Sequence, residues 1–119
     1  MTALNYLLLR CSDLERSAEF YRALGFELSP EQHGDGPKHY SLNAGDLSIP
    51  LIIELYPPSG ADITNHCMLG FRVNKIFEAV EKVEQQGFVV LKSVKASDDG
   101  GHFNATVQDP NGNKIKLTG

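Results

Sequence analysis

The apolar positions of this 119-residue chain follow a helical spacing in two places that lie 62 residues apart. Each place carries an apolar stripe at i, i+4 and i+7, followed by the dipeptide Gly-Phe. The stripes are Leu14, Ala18 and Tyr21, and Ile76, Val80 and Val83. Such spacing puts the apolar side chains on one face of a helix. The pattern therefore predicts two amphipathic helices, over about 13–24 and 75–86.

The same shift of 62 residues aligns apolar positions elsewhere without a gap, for example Ile53 with Ile115 and Leu55 with Leu117. Apolar and alternating segments predict four strands in each half, over about 4–11, 26–29, 38–43 and 49–56, and over 67–73, 88–94, 102–108 and 113–118. The expected fold class is α+β, with two tandem βαβββ modules in a single domain over 1–119. Module 1 covers about 1–56, a proline-containing linker about 57–65, and module 2 about 66–119.

Local signals mark the ends of both predicted helices. Ser12 and Glu15 fit a capping box at the start of the first helix, and Asn74 is the matching N-cap candidate for the second. Gly25 and Gly87 suit the left-handed position at which a helix commonly ends. These signals support the two helices independently of the apolar stripes.

Composition excludes several classes of function. The formal charge is −4, and basic and acidic residues are interspersed, so no nucleic-acid-binding surface is predicted. No apolar run approaches the roughly 20 residues of a membrane span, and the N-terminus lacks the layout of a signal peptide. Cys11 and Cys67 form no zinc-type or redox-type pair, so reduced thiols in a cytoplasmic protein are expected.

At the level of motifs, the chain resembles the vicinal oxygen chelate superfamily, which includes glyoxalase I, bleomycin-resistance proteins and extradiol dioxygenases. The residues that carry the resemblance are Arg10-Cys11-Ser12-Asp13-Leu14-Glu15-Arg16-Ser17, Phe20-Tyr21, Leu24-Gly25-Phe26, Ile53-Glu54-Leu55 and Asp109-Pro110-Asn111-Gly112-Asn113-Lys114-Ile115. The resemblance implies a half-open, eight-stranded barrel, or cup, with the helices outside. It also implies a homodimer, because members of the superfamily commonly dimerise.

In metal-dependent relatives, four side chains from the first and last strand of each module bind a divalent ion. The resemblance places Tyr6, Glu54, Met68 and Lys116 at these positions, and only Glu54 is a family ligand. A phenol, a thioether and an ammonium are poor ligands for such an ion, so the sequence predicts no family metal and no other cofactor. The alternative is a divalent metal held by Glu54 and His66, if the strand slips by two residues.

Strand alternation predicts what the cup contains. If Tyr6 faces inward, the cup carries four cations and an apolar and aromatic wall around Glu54. The cations are Arg10, Arg72, Lys114 and Lys116, and the wall residues are Tyr6, Leu8, Ile52 and Met68. Because arginine grips carboxylates and phosphates in bidentate fashion, we expect Arg10 and Arg72 to bind a small anion. The alternative is that Arg10 and Lys116 pair with Glu54, while Arg72 and Lys114 reach solvent.

Three functions remain open at this point. The first is a bleomycin-resistance-like protein that binds a small, anionic molecule in its cup without the family metal. The second is a lyase, isomerase or dioxygenase related to lactoylglutathione lyase, with Glu54 and Tyr6 as catalytic base and acid or with a rearranged metal site. The third is a non-catalytic dimeric interaction protein. Structural or solvated roles are expected for the histidines His33, His39 and His102.

Overall fold

A computed structural model of the chain describes residues 1–60 and 67–119, which form eight strands and two helices. The first half contains β1 (Tyr6–Arg10), α1 (Leu14–Ala23), β2 (Ser29–Glu31), β3 (His39–Asn43) and β4 (Ile52–Tyr56). The second half contains β5 (Met68–Arg72), α2 (Ile76–Gln85), β6 (Val89–Ala96), β7 (Phe103–Gln108) and β8 (Lys114–Thr118). The predicted linker over 57–65 lies partly, and His66 entirely, outside the described residues.

The strands form two four-stranded sheets with the same topology. The first sheet has the order β1-β4-β3-β2 and the second the order β5-β8-β7-β6. In each, the first and last strands of the half pair in parallel and the other pairs are antiparallel. The described strands of one sheet form no ladder with those of the other, so the barrel is half-open. The α+β class and the duplicated βαβββ order are confirmed.

Buried and exposed side chains alternate along the inner strands and define the two faces of each sheet. Ile53 and Leu55 of β4 are at most 1% exposed, as are their counterparts Ile115 and Leu117 of β8. These side chains share one apolar core with the buried stripes of α1 and α2. Both helices therefore cover one face of the sheets and leave the opposite face open. No helix in the described ranges is long and apolar enough to cross a membrane.

Both helices end in the same way, as the sequence predicts. Gly25 and Gly87 have φ values of +105° and +83°, a region that glycine enters without the steric cost other residues meet. The following Phe26 and Phe88 donate backbone hydrogen bonds to Tyr21 and Val83, respectively. The duplicated Gly-Phe dipeptide is thus a duplicated helix stop.

The predicted N-caps are wrong in both helices. Asp13, not Ser12, caps α1, because its carboxylate accepts a hydrogen bond of 3.1 Å from the amide of Arg16. Ser12 instead donates from its amide and its hydroxyl to Oδ1 of Asn111 in the second half. Lys75, not Asn74, occupies the N-cap position of α2, and its side chain makes no capping bond.

The second strand lies further along the chain than predicted. It covers Ser29–Glu31 rather than about 26–29, because Ser29 pairs with Ser41 and Glu31 pairs with His39. Phe26 belongs to the helix stop of α1 and packs edge-on against Phe71 at a centroid distance of 5.1 Å. Tertiary packing therefore places Phe26 outside the strand that the local pattern predicts there.

A buried polar cluster, which we call the clasp, joins the two halves. Asp109, before β8, is 3% exposed and accepts a hydrogen bond of 2.8 Å from the phenol of Tyr21 in α1. Its carboxylate also accepts bonds from the side-chain amide of Asn113 and from two backbone amides. Burial, and then the charge of Asp109, raise the pKa of Tyr21 well above its ordinary value. The Asp109–Asn113 segment of the family motif is therefore structural.

Candidate functional site

The open face of the first sheet, which we call the first face, carries acidic, aromatic and histidine side chains. Directly paired residues of neighbouring strands point to the same side of a sheet, and the pairing of Leu8 with Glu54 sets the register. The residues of the first face are Tyr6, Leu8, Arg10, Ser29, Glu31, His39, Ser41, Asn43, Ile52, Glu54 and Tyr56. The face includes all of the predicted site residues of module 1.

Glu54 occupies the centre of the first face between a phenol and an imidazole. Its hydrogen bond with Tyr6, with a smaller contribution from burial, raises the pKa of that phenol to about 12. Tyr6 therefore stays protonated near neutral pH and donates to the carboxylate. On the other side, Oε2 of Glu54 lies 3.1 Å from Nε2 of His39. A proton could pass between these three groups, so the arrangement is chemically suited to acid–base work.

His39 is more buried than the sequence indicates, at 2% exposure. Its ring stacks on Tyr56 at a centroid distance of 4.2 Å and an interplanar angle of 10°. The guanidinium of Arg10 lies over the same Tyr56 ring, 5.3 Å from its centre, and donates a hydrogen bond to the carbonyl of Pro57. Sequence reasoning missed His39 and Tyr56 as site residues. Strand alternation could have identified Tyr56, because it follows Glu54 by two residues and therefore lies on the same face of the sheet.

The open face of the second sheet, which we call the second face, is cationic. Its five cations are Arg72, Lys92, Lys95, Lys114 and Lys116, and its other residues are Met68, Gly70, Val89, Asn104, Thr106, Gln108 and Thr118. In the part of the chain that the structure describes, this face carries no acidic side chain. Lys92 and Lys95 were not predicted, because two register shifts in β6 break the alternation there.

A shallow cavity of about 130 Å³ lies on the second face. Lys92, Lys95 and Lys116 line it together with Asn104 and Thr106. The buried Oδ1 of Asn104 has no hydrogen-bond partner, but an amide oxygen only accepts hydrogen bonds and is therefore no contact for an anion. The cavity can hold a few heavy atoms of an anionic group.

The structure divides the predicted site residues between the two faces. Arg10 and Glu54 belong to the first face, whereas Met68, Arg72 and Lys114 belong to the second. The cavity described above is lined by second-face residues, including Lys116, and by no residue of the first half. Joint action of Arg10 and Arg72 on one anion therefore stays a prediction.

The four family metal positions do not fit a divalent ion. Tyr6 offers a phenol, and its hydrogen bond with Glu54 favours the protonated form of that phenol. Met68 offers a thioether that is largely exposed, and Lys116 brings a positive charge to the neighbouring strand. Hard and borderline ions prefer carboxylates and imidazoles.

Comparison with known proteins agrees with this fold. The chain is 32% identical over 121 residues to lactoylglutathione lyases of Escherichia coli O157:H7 and Shigella flexneri, an alignment that covers 94% of this chain and 88% of each relative. Among solved structures, it is similar to a hypothetical protein of S. aureus, with a TM-score of 0.71, 25% identity and coverage of 99% of this chain and 96% of the other. A glyoxalase I mutant from Zea mays shares the fold, with a TM-score of 0.76, 20% identity and coverage of 97% of this chain and 43% of the other. A family model matches residues 3–117, and the chain belongs to the Glyoxalase/Bleomycin resistance protein/Dioxygenase superfamily.

Proposed function

We propose that this protein binds a small anionic molecule on its second face, without the family metal. The observation that carries the proposal is the group of cations on this face, because three of them, Lys92, Lys95 and Lys116, line one cavity that no acidic side chain of the described residues lines. Like charges held together on one face repel one another, and an anion removes that repulsion. A carboxylate or phosphate group is the chemistry that fits.

The cavity on the second face supplies the polar contacts that such an anion needs. Lys116 lies beside Gly70 in the pairing of β8 with β5, and the missing side chain of Gly70 leaves room above the neighbouring strand. Lys92 pairs with Thr106 and Lys95 pairs with Asn104, and both lysines line the cavity together with Lys116. Hydrogen bonds to charged groups contribute about 1.5–3 kcal/mol each, which is enough for specific binding of a small ligand.

Removal of a cavity cation is expected to weaken anion binding. Titration calorimetry with inorganic phosphate and with succinate should detect binding to the unmodified protein. The substitutions Lys116→Met and Lys92→Met should each weaken it about ten- to a hundredfold, because each removes one charge-assisted interaction at 1.4 kcal/mol per decade. The free energy of unfolding should stay the same or rise, since repulsion between neighbouring cations decreases.

The matched control is Lys82→Met, which removes an exposed cation of α2 outside the second face. It should leave anion affinity unchanged. Equal affinity in all three variants, or absence of binding by the unmodified protein to either anion, would contradict the proposal.

We further propose that the protein is a cytoplasmic homodimer. Its two cysteines are free thiols, which suits a reducing compartment. Large apolar side chains stand exposed on the open faces, among them Tyr6 at 47%, Met68 at 63% and Val89 at 51%. The acidic first face of one copy also complements the cationic second face of another.

The dimer is expected to be visible by sedimentation at micromolar concentration. The mass should correspond to two chains of 13.1 kDa, and high salt should shift the equilibrium toward monomer because it screens the charged faces. A monomer at all accessible concentrations would contradict this part of the proposal.

Acid–base catalysis is the second candidate function, and the arrangement around Glu54 favours it. The carboxylate of Glu54 can accept a proton, which His39 can then relay away from the site. Tyr6 holds a second proton at the neighbouring position. Formation of lactoylglutathione by the metal-stripped protein, lost in Glu54→Gln, would select this candidate over binding alone.

A further inference from the structure

His39 contacts oxygen atoms through both of its ring nitrogens. Its Nδ1 is 3.1 Å from the carbonyl oxygen of Pro37, which only accepts hydrogen bonds, so this nitrogen is the donor. Its Nε2 lies 3.1 Å from Oε2 of Glu54 and 3.4 Å from the hydroxyl of Tyr56. The imidazole is 1% exposed, so water has little access to these contacts. Nε2 is therefore the ring nitrogen left for an ion, next to the carboxylate of Glu54.

Two further ligand groups converge on the same place. Glu31 is the cross-strand partner of His39, and its Oε2 lies 4.0 Å from Nε2 of His33. One ligand atom from each of Glu31, His33 and His39 lies within 4.8 Å of the other two. The loop between β2 and β3 holds His33 there through a turn in which the amide of Gly36 donates to the His33 carbonyl at 2.9 Å.

We propose that Glu31, His33 and His39 bind one divalent transition-metal ion of the zinc class. Two imidazoles and one carboxylate are a donor set that such ions accept, with water at the fourth position. With ligand bonds of about 2.0–2.2 Å, neighbouring donors of a tetrahedral ion lie about 3.3 Å apart. The distance of 4.0 Å between Oε2 of Glu31 and Nε2 of His33 is within about 1 Å of this spacing.

The remaining adjustment falls on the most mobile ligand. The side chain of His33 is 74% exposed, so its ring can move by about 1 Å toward Glu31 without disturbing the core. His39 needs no adjustment, because the bond from Nδ1–H to the Pro37 carbonyl orients the ring as in most histidine ligands of metals. The turn at His33 and the hairpin of β2 and β3 therefore place most of the ligands before an ion binds.

This site is separate from the four family positions and from the anion cavity. Its three ligands lie on β2, β3 and the loop between them, whereas the family positions lie on β1, β4, β5 and β8. The inference goes beyond the proposed function, because it neither needs nor predicts anion binding on the second face.

The test is titration of the chelator-treated full chain with zinc chloride and with cobalt chloride in a buffer that binds neither metal. We expect one ion per chain by calorimetry, and a visible absorption band of tetrahedral cobalt. His33→Ala and Glu31→Gln should each weaken binding at least tenfold. Both residues are accessible enough to substitute without unfolding the protein, and circular dichroism checks this.

The matched control is His102→Ala, which removes another exposed histidine that lies beside a carboxylate, with Nδ1 3.9 Å from Asp99. It should leave affinity unchanged. The inference is overturned if no ion binds. It is also overturned if His33→Ala binds normally, and loss of binding in His66→Ala instead would place the ion on Glu54 and His66. The titrations contain no phosphate or succinate, so their outcome is independent of the anion experiment.

Discussion

Asp109→Ala is expected to lower the free energy of unfolding by about 3–5 kcal/mol. The carboxylate is the common acceptor of the clasp, and its removal leaves the phenol of Tyr21 and the side-chain amide of Asn113 buried without it. Each buried donor without a partner costs about 1–3 kcal/mol. Two backbone amides of the turn lose the same acceptor. Urea denaturation followed by circular dichroism measures the difference.

Tyr21→Phe is the matched control for this prediction. It removes a single hydrogen bond and leaves Asp109 with its three donors in the turn, so a loss of about 1 kcal/mol is expected. A comparable loss in both variants would show that the Tyr21 bond alone carries the clasp. A negligible loss in Asp109→Ala would mean that the clasp does not join the two halves.

Phe20→Ala is expected to cost about 3–5 kcal/mol, as is usual when a fully buried aromatic side chain is removed. Phe20 is 0% exposed, and its ring makes edge-on contacts with Tyr21 at 5.0 Å and with Phe88 of the second half at 5.2 Å. The cavity left behind would lie between the halves, where the two sheets limit relaxation. The midpoint of urea denaturation should fall with little change in its slope.

Phe77→Ala provides the comparison on the other helix. Phe77 is 58% exposed and packs only against Phe103 among the described aromatic rings, so a loss of about 1 kcal/mol or less is expected. If Phe20→Ala were as mild as Phe77→Ala, the contact between α1 and Phe88 would not contribute to the cohesion of the halves.

The duplicated pattern predicted the fold because it reports local physics. The pairs Ile53 and Ile115, and Leu55 and Leu117, are equally buried, since alternation along a strand decides which side chains meet the helices. Gly25 and Gly87 end their helices through backbone conformation that glycine favours. Such features depend on a few neighbouring residues and can be read from one sequence.

The candidate sites were less predictable because they depend on contacts between distant segments. Ser12 has the local signature of a helix cap, but its amide and hydroxyl donate hydrogen bonds to Asn111, which is 99 residues away in the sequence. The burial of His39 results from its stacking on Tyr56 and from the Pro37 carbonyl. The distance between Arg10 and Arg72 depends on the placement of two sheets, which strand alternation within each sheet does not determine.

Because core and open-face side chains alternate along each strand, the residues of one face can be substituted without substitution of the residues of the other. Lys114 and Lys116 interleave with Ile115 and Leu117, so a change of ligand chemistry need not disturb the packing beneath it. A gene duplication that produced two equal halves would leave one copy of the face free to acquire new charges while the other kept its old ones. For an engineer, conversion of the ligand class of this scaffold becomes a choice of side chains at alternate strand positions, with the backbone left as it is.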